Sequence, residues 1–331
     1  MTDSTSQPPH DFLPTASIAH LRFRAQLLRQ LRRFFDSHGF DEVHTPVLSS
    51  ETIVDIHLEP FQVVRFADPQ NPAVGPIGYL QTSPEIHMKR LLVAGAHSIY
   101  QVGPALRSGE SGMWHNTEFT MVEWYRRGDD LQSGMRLLAE LAETLLSAES
   151  TQFLSYQDAF ERHVDVNPHT IETDDLRDIV IRTGQWSPPP SIRRDDLLEY
   201  LMSERVQTQL GRDGPVIVFD YPASQAALAR VRDGQPPLAE RFELFFRGIE
   251  LANGYHELGN ADEAERRFRL ANEHRTFQGK PALPLPTRFL AAMRHGLPSC
   301  AGTALGFDRL AMLALGFKDI GQAVPFLADR A

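Results

Sequence analysis

The order of strand-like and helix-like segments predicts an α+β fold in which helices flank an antiparallel β-sheet. Two observations carry this prediction. Strand-like stretches come in consecutive runs, 98–106 before 118–126 and 241–246 before 249–258, instead of alternating strictly with helices. In addition, Arg247-Gly248 fits a two-residue turn that would join the last two of these stretches into an antiparallel hairpin.

The first part of the chain is predicted to form a tail, a helix and a strand. Residues 1–15 are polar and predict a flexible tail. From about Ser17 to Ser37 apolar residues recur with helical spacing, and Gly39 ends the helix. A strand follows and is broken at Pro46.

The remaining elements follow in a consistent order. A strand at 77–81 precedes a helix that Ser83 caps, with Pro84 as its first residue. Residues 151–213 are helical and polar, so we interpret them as an insertion into a single domain spanning 16–331. Further predicted elements are a helix at 131–148, a strand at 216–222, a polar helix near 262–277, and a glycine-rich strand leading into a helix at 308–315.

Composition narrows the classes of function. The 331 residues have a formal net charge of −10, which disfavours a protein that grips a long phosphate backbone. The arginines between residues 22 and 33 are expected to form a solvated helix face, with a local basic patch as the alternative. The single cysteine, Cys300, excludes an internal disulfide framework. No secretory signal or membrane span is recognisable, so a cytoplasmic location is expected.

The stretch GIELANGYHEL, residues 248–258, carries acids where a buried strand should be apolar. The hairpin turn would place Phe245 opposite Glu250 and Glu243 opposite Ala252. Glu243 and Glu250 then become diagonal neighbours, with Cβ atoms about 7–8 Å apart. Such a pair suits Mg²⁺ that also binds phosphates. The alternative is a solvated edge face.

Glu257 has the wrong parity to share that face on a straight strand. A β-bulge at Gly254 is expected to turn it inward.

Residues 100–126 form a second group of interest, because two strands flank a loop that follows Arg107 and Glu110. On the second strand Phe119, Glu123 and Tyr125 share one face. This face is suited to stacking a base and holding an ammonium group. The alternative is an amphipathic strand whose glutamate points to solvent.

The third group is GTALGFDRLAML, residues 302–313. Its small residues allow a ligand to approach the backbone, and Asp308 is expected to cap the helix. Arg309 lies in the first turn, where a cation opposes the helix dipole, so an anionic ligand would explain its position. A surface arginine is the alternative. Neither G-x-x-x-x-G-K-[ST] nor a strand-linked G-x-G-x-x-G occurs, so an ATP site would need another architecture.

Together these stretches resemble the signature motifs of class II aminoacyl-tRNA synthetases of the lysine branch. FDEVHTPVL resembles motif 1, ALRSGESGMWHNTEFTMVEWY motif 2 and GTALGFDRLAML motif 3. The likeness extends from about residue 16 to 331 through LQTSPEIHMKRLLVAG and YPASQAALA, and is most similar to the elongation factor P lysine ligases. It implies ATP and Mg²⁺ as cofactors, a lysine-type substrate, elongation factor P as protein substrate, and a homodimer.

The resemblance also implies roles for individual residues. Arg107 and Arg309 would be catalytic, the first at the α-phosphate and substrate carboxyl group, the second at the γ-phosphate. Glu243 and Glu250 would carry the metal. The implied ATP-binding residues are Arg107, Glu110, His115, Asn116, Phe119, Glu243, Glu250 and Arg309. The implied substrate-binding residues are Ser83, Glu85, Glu123, Tyr125, Asn253, Glu257 and Ala304.

Two departures from the lysyl-tRNA synthetase pattern bear on specificity. Ser108-Gly109 shifts the motif 2 acid, Glu110, by one position, which leaves the role of Glu110 open. Ala304 stands where those synthetases have glycine, and the resemblance associates this alanine with (R)-β-lysine. Only about fifteen residues precede motif 1, which leaves no room for an anticodon-binding OB-fold, so tRNA is not expected as a partner. The alternatives are a lysyl-tRNA synthetase-like enzyme that charges tRNA or a small acceptor, and an inactive regulatory paralogue.

Overall fold

The computed structural model describes residues 12–65 and 68–331 and has an α+β fold, as the sequence predicted. The strands are β1 (Asp41–Glu42), β2 (Leu48–Ser49), β3 (Gln62–Val64), β4 (Ile77–Leu80), β5 (Ser98–Leu106), β6 (Glu118–Arg127), β7 (Gln152–Ser155), β8 (Val216–Pro222), β9 (Val231–Arg232), β10 (Leu238–Phe246), β11 (Ile249–His256) and β12 (Cys300–Gly306). The α-helices are α1 (Ile18–Ser37), α2 (Glu85–Val93), α3 (Leu131–Leu146), α4 (Tyr156–Val164), α5 (Thr173–Arg182), α6 (Arg194–Leu201), α7 (Ala261–Phe277), α8 (Thr287–Gly296) and α9 (Phe307–Ala314).

Within the described residues, a nine-stranded sheet forms the centre of the molecule, in the order β1-β5-β6-β12-β11-β10-β8-β7, with β9 added beside β10. Its central strands pair antiparallel, and the edge pairs β1–β5 and β7–β8 are parallel. The main hydrophobic core packs α1, α3 and α9 against one face of this sheet. The other face is therefore left for the acidic and basic side chains that the sequence singled out.

The hairpin between β10 and β11 turns at the predicted residues. Arg247 and Gly248 have φ values of +50° and +76°, the left-handed conformation that a tight type I′ turn needs at both positions. Because glycine adopts this conformation without a steric penalty, one of the two positions costs little. The turn fixes the pairing of Phe245 with Glu250, as predicted.

Residues 151–213 contain β7, α4, α5 and α6, followed by a short π-helical turn. Their buried side chains, including Phe160, Leu176 and Leu198, form a second hydrophobic cluster that also takes in side chains of β8 and β10. This segment therefore packs on the sheet edge beside the acidic hairpin. Its description as an insertion stays a prediction.

Two local predictions differ from the structure, and one helix was not predicted. Asp308 does not cap α9. It lies inside the first turn, where its carboxylate accepts hydrogen bonds from the Arg24 guanidinium at 2.7 Å and the Thr120 backbone N–H at 2.7 Å, tying α9 to α1 and β6. Helix α2 begins at Glu85, one residue after the predicted Pro84. Helix α8 was not predicted.

Most of the predicted tail, residues 1–11, lies outside the described residues. Thr15, at its end, donates its backbone N–H to the Pro325 carbonyl at 2.7 Å. No helix in the described part of the chain is long and apolar enough to cross a membrane.

Candidate active site

A cavity of about 1160 Å³ opens on the sheet face opposite the main core. All but one of the site residues predicted from the sequence line it: Ser83, Glu85, Arg107, Glu110, His115, Asn116, Phe119, Glu123, Tyr125, Glu243, Glu250, Asn253, Ala304 and Arg309. The exception is Glu257, which lies buried behind the wall with 4% of its surface exposed. Residues far apart in sequence therefore meet in one place.

Strand register explains why these side chains converge. One row of directly paired residues crosses four strands in the order Glu123, Ala304, Asn253, Glu243. The neighbouring row on the same face is Tyr125, Gly302, Tyr255 and Arg241. The methyl group of Ala304 thus stands between Glu123 and Asn253 on the cavity floor.

The register of the hairpin corrects the predicted position of the bulge. Glu243 pairs with Asn253, not with Ala252, because the register shifts between Leu244 and Phe245 and leaves Leu251 as the extra residue. Leu251 and Ala252 both turn into the apolar core. A bulge was predicted to be necessary, and it is present, but it lies at Leu251 and not at Gly254.

Beyond that bulge, alternation places Asn253 and Glu257 on the same face as Glu250. Gly254 has a packing role instead. A side-chain methyl group there would overlap the ring of Phe242 in the core.

Glu123 is buried at the end of the cavity where Glu85, Glu123 and Glu257 lie, which we call the acidic end. Its carboxylate accepts hydrogen bonds from the Ser83 hydroxyl at 2.7 Å and the Tyr125 hydroxyl at 2.6 Å. Burial, together with the negative charge of Glu85, raises the pKa of Glu123 to about 7. A cationic ligand would favour the charged form of this group.

Lys89 lies between two of the predicted substrate-binding acids. Its ammonium group is 2.5 Å from Glu85 Oε1 and 2.5 Å from Glu257 Oε2. Burial raises the pKa of Glu257 to about 8, while the positive charge of Lys89 opposes that shift. Three carboxylates, those of Glu85, Glu123 and Glu257, are thus opposed by one cation at this end, so the pocket is acidic.

Arg107 lies beside Phe119, four residues along β6 from Glu123, in the part of the cavity that we call the basic end. Its guanidinium carbon lies 5.0 Å from the centre of the Phe119 ring, and its Nε donates to the Thr82 carbonyl at 3.4 Å. Glu110 is 3.7 Å away, a loose ion pair between partly exposed groups. Arg107 and Phe119 therefore sit together, an anion-binding group beside an aromatic face.

Arg309 reaches the same end from α9. It donates to the backbone carbonyls of Glu250 at 3.0 Å and Trp114 at 3.1 Å, and it contacts the His115 ring. Burial and the positive charge of Arg309 lower the pKa of His115, which favours the neutral imidazole. Two arginines thus face one cavity, Arg107 from the loop after β5 and Arg309 from α9.

The amide of Asn116 is engaged within the protein. Its Nδ2 donates to the Glu118 carbonyl at 2.7 Å, and its Oδ1 accepts the Ala328 backbone N–H at 2.9 Å. Asn116 therefore fastens the C-terminal segment to the cavity wall, and an adenine contact from it stays a prediction.

Glu243 and Glu250 are diagonal neighbours on the cavity face, as expected for a pair that shares a metal ion. Glu243 already accepts hydrogen bonds from Arg241 and from the Tyr221 hydroxyl at 2.6 Å, whereas Glu250 is 39% exposed with Arg309 at 3.9 Å. Although the Glu250 side chain is 39% exposed, partial desolvation within the cavity and the charge of Glu243 raise its pKa. A divalent cation between the two carboxylates would relieve this repulsion, so the pair fits Mg²⁺.

In residues 12–65 and 68–331 no group of three or more His, Cys, Asp or Glu side chains could hold a metal alone. Two carboxylates supplemented by phosphate oxygens are the usual way in which proteins bind Mg²⁺ with a nucleotide.

The sequence interpretation missed three residues that shape the site: Lys89, Arg241 and Tyr255. For Lys89 and Arg241 the spacing along the sequence contained a signal that could have identified them. Lys89 follows Glu85 by four residues on a helix, the spacing of an ion pair, and Arg241 precedes Glu243 by two on a strand, which puts both on one face.

Comparison with known proteins agrees with this geometry. The family model for class II tRNA synthetases (D, K and N) matches residues 11–330. A protein of Yersinia enterocolitica named elongation factor P--(R)-beta-lysine ligase is 44% identical over 319 residues, covering 96% of this chain and 98% of the relative. Proteins of the same name from Edwardsiella ictaluri (44% identity, 96% and 98% coverage) and Pectobacterium carotovorum (43%, 100% of both chains) are equally similar. With a match over nearly its whole length, the chain belongs to the class II tRNA synthetase family.

Proposed function

We propose that this chain activates (R)-β-lysine, or lysine, with ATP and transfers it to a lysine ε-amine of elongation factor P. The observation that carries the proposal is the charge separation in the cavity. Carboxylates suited to a diamino acid occupy one end, and two arginines suited to phosphates occupy the other. The names of the relatives supply the acceptor protein and the substrate isomer.

The first step would join the two substrates within the cavity. A carboxylate oxygen of the amino acid attacks the α-phosphorus of ATP, and pyrophosphate leaves. Arg107, beside Phe119, would stabilise negative charge at the α-phosphate while the ring stacks on the base. Arg309 would hold the γ-phosphate end. This is catalysis by positioning and charge stabilisation, without a protein nucleophile.

Mg²⁺ bound by Glu243 and Glu250 would neutralise charge on the phosphates. One of the two metal-binding carboxylates is also held in place by the protein. Because Arg241 and Tyr221 hold Glu243 in place, its orientation is fixed before the nucleotide binds.

The amino groups of the substrate would bind the acidic end. Glu85 would receive the amino group nearer the substrate carboxylate, and Glu123 with Glu257 the distal one. The Oδ1 atom of Asn253 is buried without a hydrogen-bond partner among the described residues, so it would accept a hydrogen bond from a ligand donor. Ala304, between Glu123 and Asn253, would fill space that glycine leaves open and so favour (R)-β-lysine.

In the second step the acceptor lysine nitrogen attacks the carbonyl carbon of the aminoacyl-adenylate, and AMP leaves. We also propose a homodimer, because motif 1 forms the subunit contact in the family that the sequence resembles.

A mass-shift assay tests this function. The enzyme is incubated with ATP, Mg²⁺ and each lysine isomer, together with elongation factor P or with tRNA, and the acceptors are weighed by mass spectrometry. We expect elongation factor P to gain one lysyl group, most rapidly with (R)-β-lysine. Charged tRNA without modified elongation factor P would support the synthetase alternative. Absence of lysine-dependent ATP–pyrophosphate exchange would support the inactive paralogue.

A further inference from the structure

A buried lysine holds two carboxylates together behind the acidic end of the cavity. The Lys89 side chain is 1% exposed, and its ammonium group touches one oxygen of Glu85 and one oxygen of Glu257 at 2.5 Å each. It also lies 5.8 Å from the centre of the Tyr125 ring and 6.0 Å from that of Phe289. These contacts come from α2, β6, α8 and the residue that follows β11, so the lysine has little freedom to move.

Each carboxylate in this arrangement keeps one oxygen for another partner. Glu257 Oε1 is buried and has no hydrogen-bond partner among the described residues. It lies where a side chain at position 302 would be, and Gly302 leaves that space open. Glu85 lines the cavity and is 16% exposed at its side chain. An unpartnered buried carboxylate oxygen needs a donor, and none of the described residues supplies one to Glu257 Oε1.

The Lys89 side chain remains a charged ammonium group. Burial alone would lower the pKa of the ammonium group, but the charges of Glu257 and Glu85 raise it above its ordinary value. Because one small cation contacts both acids, the two oxygens that it contacts lie within twice the 2.5 Å contact distance of each other. Lys89 thereby fixes the separation of the two carboxylates.

We infer that Lys89 is a positioning residue that sets substrate specificity by fixing the distance between the two ammonium-binding positions at Glu85 and Glu257. This rests on the proposed function. (R)-β-Lysine carries its amino groups one carbon closer together than α-lysine does. Ornithine has the same amino-group separation as β-lysine, but its carboxylate is one carbon nearer. A fixed pair of carboxylates therefore distinguishes (R)-β-lysine from α-lysine by the separation of the amino groups, whereas ornithine would bind the same pair with its carboxylate one carbon farther from the α-phosphate.

Two variants test the inference through ATP–pyrophosphate exchange with each diamino acid. Lys89→Met removes the cation, so we expect kcat/KM for the preferred isomer to fall tenfold or more, mainly through KM. The ratio of kcat/KM between (R)-β-lysine and α-lysine should shrink at least fivefold. Lys89→Arg keeps the charge but enlarges the cation, so it should change the same ratio with the fold intact. The KM for ATP should stay within twofold in both.

Lys318→Met, at an exposed lysine that does not line the cavity, is the matched control and should leave every ratio unchanged. Ratios within twofold of wild type in Lys89→Arg would overturn the inference, whether or not Lys89→Met folds. A fall in kcat matched by an equal rise in the KM for ATP would also overturn it, because this result would indicate a general structural role. If the wild-type protein activates none of the three diamino acids, the proposed function itself fails.

Discussion

The two ends of the cavity hold their charges in different ways. At the acidic end the side chains of Lys89 and Glu257 are each 1% exposed and are in direct contact. At the basic end the side chains of Arg107 and Arg309 are 22% and 20% exposed, and each donates to a backbone carbonyl. The acidic end is closed and has more carboxylates than its single lysine can neutralise, whereas the basic end is partly open to solvent.

This difference has a physical consequence for recognition. Charges interact more strongly where water is excluded, so small shifts in position at the acidic end alter affinity greatly. The arginines are better screened and can follow phosphates through a reaction. We expect the acidic end to select the amino acid, and the basic end to lower the barrier of the chemical step.

The largest effect should come from the basic end. Arg309→Ala and Arg107→Ala each remove a cation that faces the phosphates, which costs about 2.7–4 kcal/mol by analogy with loss of one oxyanion donor. The rate of ATP–pyrophosphate exchange should therefore fall about 100- to 1000-fold. Arg269→Ala, at a 62% exposed arginine of α7, is the control and should change the rate little. A near-normal rate for Arg107→Ala would contradict its assigned role.

Gly302→Ala should damage the acidic end alone. The added methyl group would overlap the Tyr125 ring and Glu257 Oε1, both on the cavity side of the sheet. Overpacking of this kind costs about 1–3 kcal/mol, so we expect kcat/KM for the diamino acid to fall about five- to 150-fold, a tenfold change being 1.36 kcal/mol. The KM for ATP should be unchanged. A parallel rise in both KM values would argue against separate ends.

The pH dependence of substrate binding should report on the acidic end. The pKa of Glu123 is about 7, raised from 4.5 by burial and by the charge of Glu85. The charged carboxylate binds an ammonium group, so kcat/KM for the diamino acid should rise about tenfold from pH 6 to pH 8. Charged or titratable neighbours that face Glu123 are Glu85, Lys89, Tyr125 and Glu257.

The raised pKa of Glu123 makes protein stability fall as pH rises, the opposite of its effect on substrate binding. Between about pH 4.5 and 7 the folded protein keeps a proton on Glu123 that the unfolded chain releases. The free energy of unfolding therefore falls as pH rises through this range. Glu123→Gln should remove the part of both profiles that is centred near pH 7 and leave the contribution of Glu257, whose pKa is about 8. A rate profile that keeps its slope in this variant would assign the titration to another group.

Turn chemistry and strand alternation were sufficient to predict the hairpin and to put Glu243 and Glu250 on one face. They were not sufficient to locate the bulge. Its position at Leu251 depends on which apolar side chains enter the core, and that is a property of α3 and α9 packed behind the sheet. Gly254 looked like the bulge because glycine often marks one, whereas here it makes room for Phe242.

Lys89 shows a second limit of sequence reasoning. A lysine on a helix is usually solvated, and its spacing from Glu85 predicted at most a surface ion pair. Burial follows only when α2 packs against α8 and β6, which brings Phe289 and Tyr125 over the ammonium group. The residue roles implied by the family resemblance said nothing about it, because they concern contacts with substrates.

Gly254→Ala is the counterpart of Gly302→Ala on the other face of the sheet. Gly254 pairs with Thr303, the neighbour of Gly302, and its added methyl group would overlap the Phe242 ring in the main core. We expect a loss of about 1–3 kcal/mol in the free energy of unfolding and a lower thermal midpoint, with both KM values within twofold of wild type. A large rise in the KM for the diamino acid would mean that Gly254, and not the register shift at Leu251, orients Glu257. The residue at position 254 would then determine the orientation of Glu257. A substitution on the core face of the sheet would thus change substrate binding on the cavity face.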